Sequence, residues 1–238
     1  MPERLARAGF LLALLGFAVG IVGSAITAGI YAAITGSDVD SYGVQLAGLP
    51  GLWIGLAGVP FLASRQLGTG SLRDDYGLDV EWPGDLVVGV AVGAATQVMV
   101  VVIIGIFRLI SPGLKVDETS VEVAQRTTGA GFVLLVILVA VCAPVVEELF
   151  FRGLLQRSLQ RLLSTVPAVA ITGVLFGLVH YGGHGLGAVA LVLCLSAFGW
   201  AVGALVVRFG RLGPAIVAHV TFNAIAATQI IADSVRHH

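Results

Sequence analysis

Two adjacent carboxylates stand at the end of an apolar stretch in the second half of the chain. Glu147 and Glu148 directly follow residues 127–146, which carry no charge. Glu148 and Arg152 are four positions apart with the acid first, the favourable order for an ion pair on one helix face. Glu147 then points elsewhere, and a desolvated carboxylate is suited to act as a general base near neutral pH. The alternative is that the span ends here and both acids lie among lipid head groups.

Two histidine groups follow in later apolar stretches. Phe176 and His180 are four residues apart, and so are His219 and Asn223. Side chains at this spacing share one face of a helix, so His219 and Asn223 can point into one cavity. Such side chains are costly at membrane depth and usually functional, which favours an active site. For His180 taken alone, an interfacial position at the end of a span is the favoured explanation.

Distances counted from the predicted turns place these groups at a similar depth. If the helices on either side of Ser164 form an antiparallel hairpin, Glu147 lies 17 residues before the turn and His180 lies 16 residues after it. At a rise of ~1.5 Å per residue both lie ~24 Å from that turn, so we expect them to meet. Asn223 is 12 residues beyond Arg211, which places it ~18 Å from a turn on the same side of the membrane.

Together these side chains predict hydrolysis of an amide bond. Glu147 and His180 can hold and deprotonate a water molecule. His219 and Asn223 can donate hydrogen bonds to the oxyanion that forms when this water attacks a carbonyl. The sequence therefore predicts four catalytic residues and a mechanism without a covalent intermediate.

A covalent mechanism and a metal mechanism fit the sequence less well. Ser196 and Cys194 lie in a different span from either histidine group, which argues against an acyl-enzyme. A divalent metal such as zinc could be bound by Glu147, His180 and His219, because two histidines and a glutamate are a known catalytic ligand set. The HExxH spacing that would strengthen this interpretation is missing, so a metal stays an open alternative.

The elements that carry these residues must be membrane-spanning helices. Of the 238 residues 57% are hydrophobic and 11% are charged, and the mean hydropathy is +0.98. A soluble domain carries roughly a quarter charged residues. The balance of 13 basic and 14 acidic residues lacks the positive field that nucleic-acid binding needs. Charge-free stretches long enough to cross a bilayer occupy residues 8–37, 41–64, 86–107, 127–146, 162–207 and 212–232.

These stretches predict the fold class and the domain organisation. Residues 162–207 are too many for one crossing and contain the glycine-rich segment 181–187, which predicts a turn. We therefore predict an all-α fold, a polytopic transmembrane helix bundle of about seven to eight spans with the active site inside the bundle. Residues 1–238 are predicted to form a single integral membrane domain with a catalytic core over 127–232. Close helix packing is predicted where glycines repeat as GxxxG, at Gly16/Gly20, Gly89/Gly93, Gly173/Gly177 and Gly199/Gly203.

Charge placement and composition predict the localisation. Nine basic residues fall on one side of the predicted membrane and four on the other, which indicates a cytoplasmic N-terminus by the positive-inside rule. The charge-free run 8–37 is long for a signal peptide and ample for a transmembrane helix. Abundant glycine and alanine indicate a high-GC bacterium, so we expect the bacterial plasma membrane. His237 and His238 are interpreted as a tag remnant without a chemical role.

The three motifs together resemble one protein family. EExxxR begins at Glu147, FxxxH ends at His180, and HxxxN begins at His219, in this order on successive apolar stretches. This arrangement resembles the CPBP family, which comprises CAAX prenyl proteases and bacteriocin-processing relatives. The resemblance covers the predicted catalytic core, whereas the N-terminal half matches only in being apolar and helical. It implies that Glu148 and Arg152 brace the end of the helix that carries Glu147.

The resemblance implies an intramembrane endopeptidase, either glutamate-activated or a metalloendopeptidase. Its partners would be the lipid bilayer and a membrane-associated protein or peptide substrate. Because a bacterial source makes CAAX cleavage unexpected, peptide maturation fits better. The alternative is a non-catalytic membrane binding or immunity protein with the same pocket, since binding and cleavage can use the same carboxylate. A proton-relaying transporter ranks lowest because the sequence shows neither inverted repeats nor paired broken helices.

Overall fold

The computed structural model describes residues 2–39, 41–116, 129–182 and 184–236, and every regular element among them is a helix. The predicted all-α fold is therefore confirmed. The predicted turn within 162–207 is confirmed as well, since one helix ends at Val179 and the next begins at Gly185. In chain order the helices are α1 (Glu3–Thr35), α2 (Tyr42–Leu56), α3 (Gly58–Leu67), α4 (Leu72–Tyr76), α5 (Gly84–Ile110), α6 (129–162), α7 (Thr165–Val179), α8 (Gly185–Phe209) and α9 (Gly213–Arg236).

Length and hydropathy identify which of these helices can cross a membrane. Each apolar stretch predicted from the sequence has a helical counterpart, which confirms a polytopic helical protein. The shorter α7 has 15 residues, less than the ~20 that a bilayer requires. The predicted seven to eight spans exceed the number of segments that qualify by length and hydropathy among the described residues. Among the described residues five segments qualify: Arg7–Thr35, Gly43–Leu67, Gly84–Ile110, Gly131–Leu162 and Gly185–Phe209.

The chain divides into two compact units. The first unit comprises Met1–Leu78 and Val145–Ser164, and the second comprises Asp79–Pro144 and Thr165–His238. The division falls inside α6, between Pro144 and Val145. The organisation of residues 1–238 as a single domain stays a prediction.

In the first unit, α1 and α2 pack through glycines that face each other. A methyl group at Gly51 would overlap the backbone of Gly23, and one at Gly55 would overlap the backbones of Gly16 and Gly20. Only residues without a side chain allow two helix backbones to approach this closely. The predicted packing role of Gly16 and Gly20 is thus confirmed.

A buried carboxylate joins α3 to α4 in the same unit. Asp75 is fully buried, and it accepts hydrogen bonds from the Ser64 hydroxyl at 2.5 Å and from the Thr69 amide at 3.0 Å. The neighbouring Tyr76 is also fully buried and donates its hydroxyl to the carbonyl of Pro60 at 3.0 Å. Burying polar groups is tolerable here because each of these bonds replaces a bond to water.

In the second unit, an ion pair fixes the turn before α9 to the first turn of α5. The guanidinium of Arg211 donates two hydrogen bonds to Asp85, from Nε to Oδ2 at 3.1 Å and from a terminal nitrogen to Oδ1 at 2.7 Å. This two-point geometry is the strongest form of an arginine–carboxylate contact. Glu81 adds a second acid at 2.9 Å from Arg211. The start of α9 is thereby held beside the start of α5.

The helix α6 is longer and less regular than the sequence predicts. Two segments, Leu138–Cys142 and Leu149–Gln156, are π-helical, and Ala143–Glu148 between them is α-helical. The helix does not end at residue 146 but continues to Leu162. A buried ion pair allows α6 to contain charged residues in its middle.

Candidate active site

The EExxxR motif lies in the middle of α6, within the first unit. Oε1 of Glu148 accepts a hydrogen bond from a terminal nitrogen of Arg152 at 3.0 Å, and both side chains are fully buried. The predicted ion pair is therefore confirmed, and protein atoms shield both of its side chains. The expectation that the pair braces a helix end is wrong, because α6 continues for three more turns. Glu147 is half-buried, next to the pair.

The buried polar face of α6 extends one residue further than the motif. Gln156, four positions after Arg152, is also fully buried. Glu148, Arg152 and Gln156 thus follow one another at the helical repeat along one side of α6. The sequence did not indicate that Gln156 is buried, because an uncharged amide among arginines and leucines is typical of the end of a helix.

His180 lies in the turn that ends α7, in the second unit. Its amide donates to the carbonyl of Gly177 at 3.2 Å, which tightens the last turn, and its ring atom Nδ1 lies 2.7 Å from the carbonyl oxygen of Phe176. A carbonyl can only accept, so Nδ1 carries the hydrogen and Nε2 is the atom that can take a proton or bind a metal. His180 is half-buried and lies one residue beyond the helix rather than within the span.

One aromatic ring contacts both histidines of the second unit. The Phe176 ring is 4.8 Å from the His180 ring and 5.5 Å from the His219 ring, measured between centroids. His219 projects from α9 and is buried, with 3% of its surface exposed. The structure therefore brings Phe176, His180 and His219 together, and Phe176 is the residue that links them.

Phe198, on α8, completes this aromatic cluster. It is fully buried and lies 4.9 Å from the His219 ring, 5.9 Å from Phe176 and 4.4 Å from Phe222. Its ring meets His219 edge to face, the arrangement that aromatic pairs prefer. Sequence reasoning missed Phe198, since nothing distinguishes one phenylalanine in an apolar helix from its neighbours.

Asn223, one turn after His219 on α9, bonds to the wide helical turn of α6. Its amide nitrogen donates to the carbonyl oxygen of Val139 at 2.9 Å. Val139 belongs to the π-helical segment Leu138–Cys142, where backbone bonds run over five residues rather than four. The side-chain amide has a second N–H, which is the donor that the predicted oxyanion role requires.

Metal binding by Glu147, His180 and His219 stays a prediction. Catalytic zinc sites use three protein ligands. Within the described residues of either unit, no three histidine, cysteine, aspartate or glutamate side chains are grouped to hold one ion. Of the three predicted ligands, the second unit contains His180 and His219, and the first unit contains Glu147.

Comparison with known proteins adds a family to this geometry. Residues 129–225 match the model of a family described as Rce1-like, type II CAAX prenyl endopeptidase. This segment is therefore similar to the Rce1-like family. It covers most of the catalytic core predicted over 127–232 and includes all four predicted catalytic residues. No curated protein matches the chain, and no solved structure does.

The Rce1-like family is a protease family, which confirms the resemblance inferred from the three motifs. The described part of the chain contains five segments long and apolar enough to span a bilayer, which supports an integral membrane protein. Residues 129–225 of this protein match the model of a protease family.

Proposed function

We propose that the protein is an intramembrane endopeptidase that cleaves a membrane-associated protein or peptide with a water activated by Glu147 and His180. The observation that carries this proposal is the Rce1-like match over residues 129–225, which contains Glu147, His180, His219 and Asn223 in order. The pairing of Glu147 with His180 rests on the sequence and on this match.

The chemistry of His180 supports its role on the water. With its hydrogen on Nδ1 directed to the Phe176 carbonyl, His180 presents Nε2 as an acceptor. In the proposed step, the carboxylate of Glu147 takes one proton from the water while Nε2 of His180 orients it. The resulting hydroxide attacks the carbonyl carbon of the substrate peptide bond.

His219 and Asn223 are proposed to stabilise the tetrahedral intermediate. An N–H of each side chain would donate to the oxyanion, whose charge is otherwise unfavourable in a dry interior. When the intermediate collapses, the carbon–nitrogen bond breaks and the protonated Glu147 gives its proton to the departing amine. The second proton of the water stays on the new carboxyl group, so the products are a carboxylic acid and an amine, which exchange that proton on release, and Glu147 returns to its charged form.

The buried Glu148–Arg152 pair has a supporting role in this proposal. Its 3.0 Å contact lies one residue away from Glu147 on α6, and it satisfies two charges where water is absent. We propose that the pair fixes the rotation of α6 and thereby the direction of the Glu147 side chain.

For the orientation we propose a cytoplasmic N-terminus in a bacterial plasma membrane. Six arginines of the first unit lie near helix ends or in short connecting helices, as the positive-inside rule expects of a cytoplasmic face. A reporter enzyme that works only in the cytoplasm should be active when it is fused before α1. Activity of a reporter that works only in the periplasm, fused at the same place, would contradict this orientation. The six are Arg4, Arg7, Arg65, Arg73, Arg157 and Arg161.

The experiment that tests the function compares peptide cleavage by the purified full-length protein and two variants in detergent. A library of membrane peptides is incubated with wild type, with Glu147→Gln, and with Asp38→Asn as a control at an exposed carboxylate. General-base catalysis is worth ~10²–10⁴-fold, so Glu147→Gln should lose at least ~10²-fold in rate while Asp38→Asn keeps the wild-type rate.

A chelator distinguishes the two forms of water activation. Cleavage that persists in the chelator supports the glutamate-activated mechanism. Cleavage that is lost and then restored by added zinc would instead require a metal. Wild type that binds peptides without cleaving any would establish the non-catalytic binding or immunity protein and overturn the proposal.

A further inference from the structure

One face of α5 presents a repeating contact surface to α9. Gly89 and Gly93 lie four residues apart on this face, and a methyl group at either would collide with α9. At Gly93 it would come 2.5 Å from the carbonyl oxygen of Ala218 and 2.7 Å from Cβ of Thr221. The two helix backbones are therefore in close contact over at least one turn.

Gln97, four residues after Gly93, adds a polar contact to this face. It is buried, with 6% of its surface exposed, and its Nε2 donates to the carbonyl oxygen of Phe222 at 2.7 Å. Because a carbonyl only accepts, the nitrogen end of the amide must face α9. The bond joins residues 125 positions apart in the chain.

This bond is not needed to satisfy the backbone of α9. Phe222 lies inside a helix that continues to Arg236, so its carbonyl has a partner amide four residues later. An apolar side chain would fill the same space without burying an amide. A buried polar contact in such a place selects one arrangement of two helices over its near neighbours.

The contact lies at the level of the proposed oxyanion donors. Phe222 directly precedes Asn223 and is three residues from His219, and its ring packs 4.4 Å from Phe198. The Asp85–Arg211 pair holds the turn before α9, and Asn223 bonds to the carbonyl of Val139 on α6. The bond from Gln97 to Phe222 adds a fixed point on the side of α9 that faces α5.

We propose that Gln97 is a positioning residue that sets the rotation and height of α9 and so the placement of His219 and Asn223. The glycines allow α9 to approach α5, and Gln97 decides which approach is adopted. The catalytic consequence of this inference rests on the proposed peptidase function, whereas the placement of His219 does not.

The first test measures the surroundings of His219 without any substrate. Full-length protein with ¹⁵N-labelled histidine is compared by NMR in detergent micelles as wild type, Gln97→Leu and Gln97→Met. The control is Val98→Leu, at the neighbouring residue, which is 65% exposed. The His219 signal is assigned by its loss in His219→Gln, and the exposed His184 serves as the internal reference.

Both Gln97 variants should move the ring signals of His219 and leave those of His184 in place. The Val98→Leu spectrum should match wild type. Gln97→Met keeps the length of the side chain without its amide, so it gives an answer if Gln97→Leu does not fold. An unchanged His219 signal in either folded variant overturns the proposal.

The second test measures peptide cleavage by the same proteins. Gln97→Met should lower kcat by roughly tenfold or more with KM within about twofold, because small displacements of catalytic groups cost rate rather than substrate binding. In a background that lacks both proposed donors, His219→Ala with Asn223→Ala, the same change should add little further loss. Equal and independent losses in both backgrounds would contradict a role that acts through α9. If wild type cleaves nothing, the proposed function fails, while the NMR comparison still decides the role of Gln97.

Discussion

The Nδ1 atom of His180 lies 2.7 Å from the carbonyl oxygen of Phe176, and the rings of the same two residues are 4.8 Å apart. The first contact determines which ring nitrogen carries the hydrogen, and the second holds the ring against an aromatic face. The FxxxH motif therefore favours one tautomer and one orientation of this histidine. Phe176 contributes both its backbone and its side chain to this result.

Replacement of His180 by asparagine distinguishes the roles of its two ring nitrogens. The amide nitrogen of asparagine occupies the place of Nδ1 and can still donate to the Phe176 carbonyl, but nothing replaces Nε2. We expect His180→Asn to fold with wild-type thermal stability and to lose ~10²-fold or more of the cleavage rate. His184→Asn, in the exposed loop after α7, is the matched control and should keep full activity. An active His180→Asn protein would remove His180 from the catalytic residues.

The buried Glu148–Arg152 pair predicts a non-additive effect on stability. Removing one partner leaves a buried charge, so Glu148→Gln should lower the free energy of unfolding by about 3–5 kcal/mol. Replacing both, as in Glu148→Leu with Arg152→Met, should recover most of this loss, because no charge remains buried. The measurement is unfolding by SDS titration in mixed micelles, with Arg161→Met at an exposed position of the same helix as control. Additive losses would show that the two residues do not act as a pair.

Phe198 should affect both stability and rate through its contact with His219. Phe198→Leu removes an edge-to-face partner worth about 0.5–1.5 kcal/mol and lets the His219 ring adopt other orientations. We expect an increased unfolding rate and a cleavage rate reduced on the order of tenfold, since the donor is no longer held in place. Leu193→Val, at a half-exposed position of α8, should change neither quantity. A fully active Phe198→Leu protein would show that His219 is oriented by other contacts.

Tyr76 predicts a pH dependence of stability in the alkaline range. Burial, and secondarily the neighbouring Asp75 carboxylate, raise the pKa of Tyr76 above its usual value near 10. The folded state therefore retains the phenolic proton after the unfolded state has lost it. Its contribution to stability is complete below pH ~10 and declines as the pH rises further. Tyr76→Phe should be less stable than wild type at pH 8, because it lacks the bond to Pro60, and should lose less stability between pH 8 and pH 11. Parallel losses in both proteins would contradict the burial effect.

Charge-free stretches locate the helices well because lipid excludes ionised side chains from most positions. The same rule fails at α6. There the charge-free stretch ends at residue 146 and the motif is expected at the end of its helix, whereas the helix continues to Leu162 with Glu148 and Arg152 inside it. An ion pair cancels the cost that the rule assumes, and spacing alone predicts the pair without predicting that the helix continues.

The residues that support the site are harder to find than the residues within it. Gln97 carries no charge, so it does not stand out in a stretch that is defined by the absence of charged residues. Phe198 resembles every other apolar residue of α8. Their importance arises from contacts with α9 that depend on tertiary packing. His219 and Asn223 are visible from the sequence because a histidine and an amide four residues apart are unusual in an apolar run.

The two π-helical segments of α6 change how its sequence should be compared with that of a relative. A π turn holds an additional residue, so each one turns the following side chains by about 100° from the positions that an uninterrupted α-helix would give them. Glu147 and Glu148 lie between two such segments, Leu138–Cys142 and Leu149–Gln156. A relative that lacks one residue in either segment could keep the EExxxR motif in its sequence while the side chains of the motif point toward lipid. Insertions and deletions of a single residue in α6 are therefore as informative about activity as the identity of the motif.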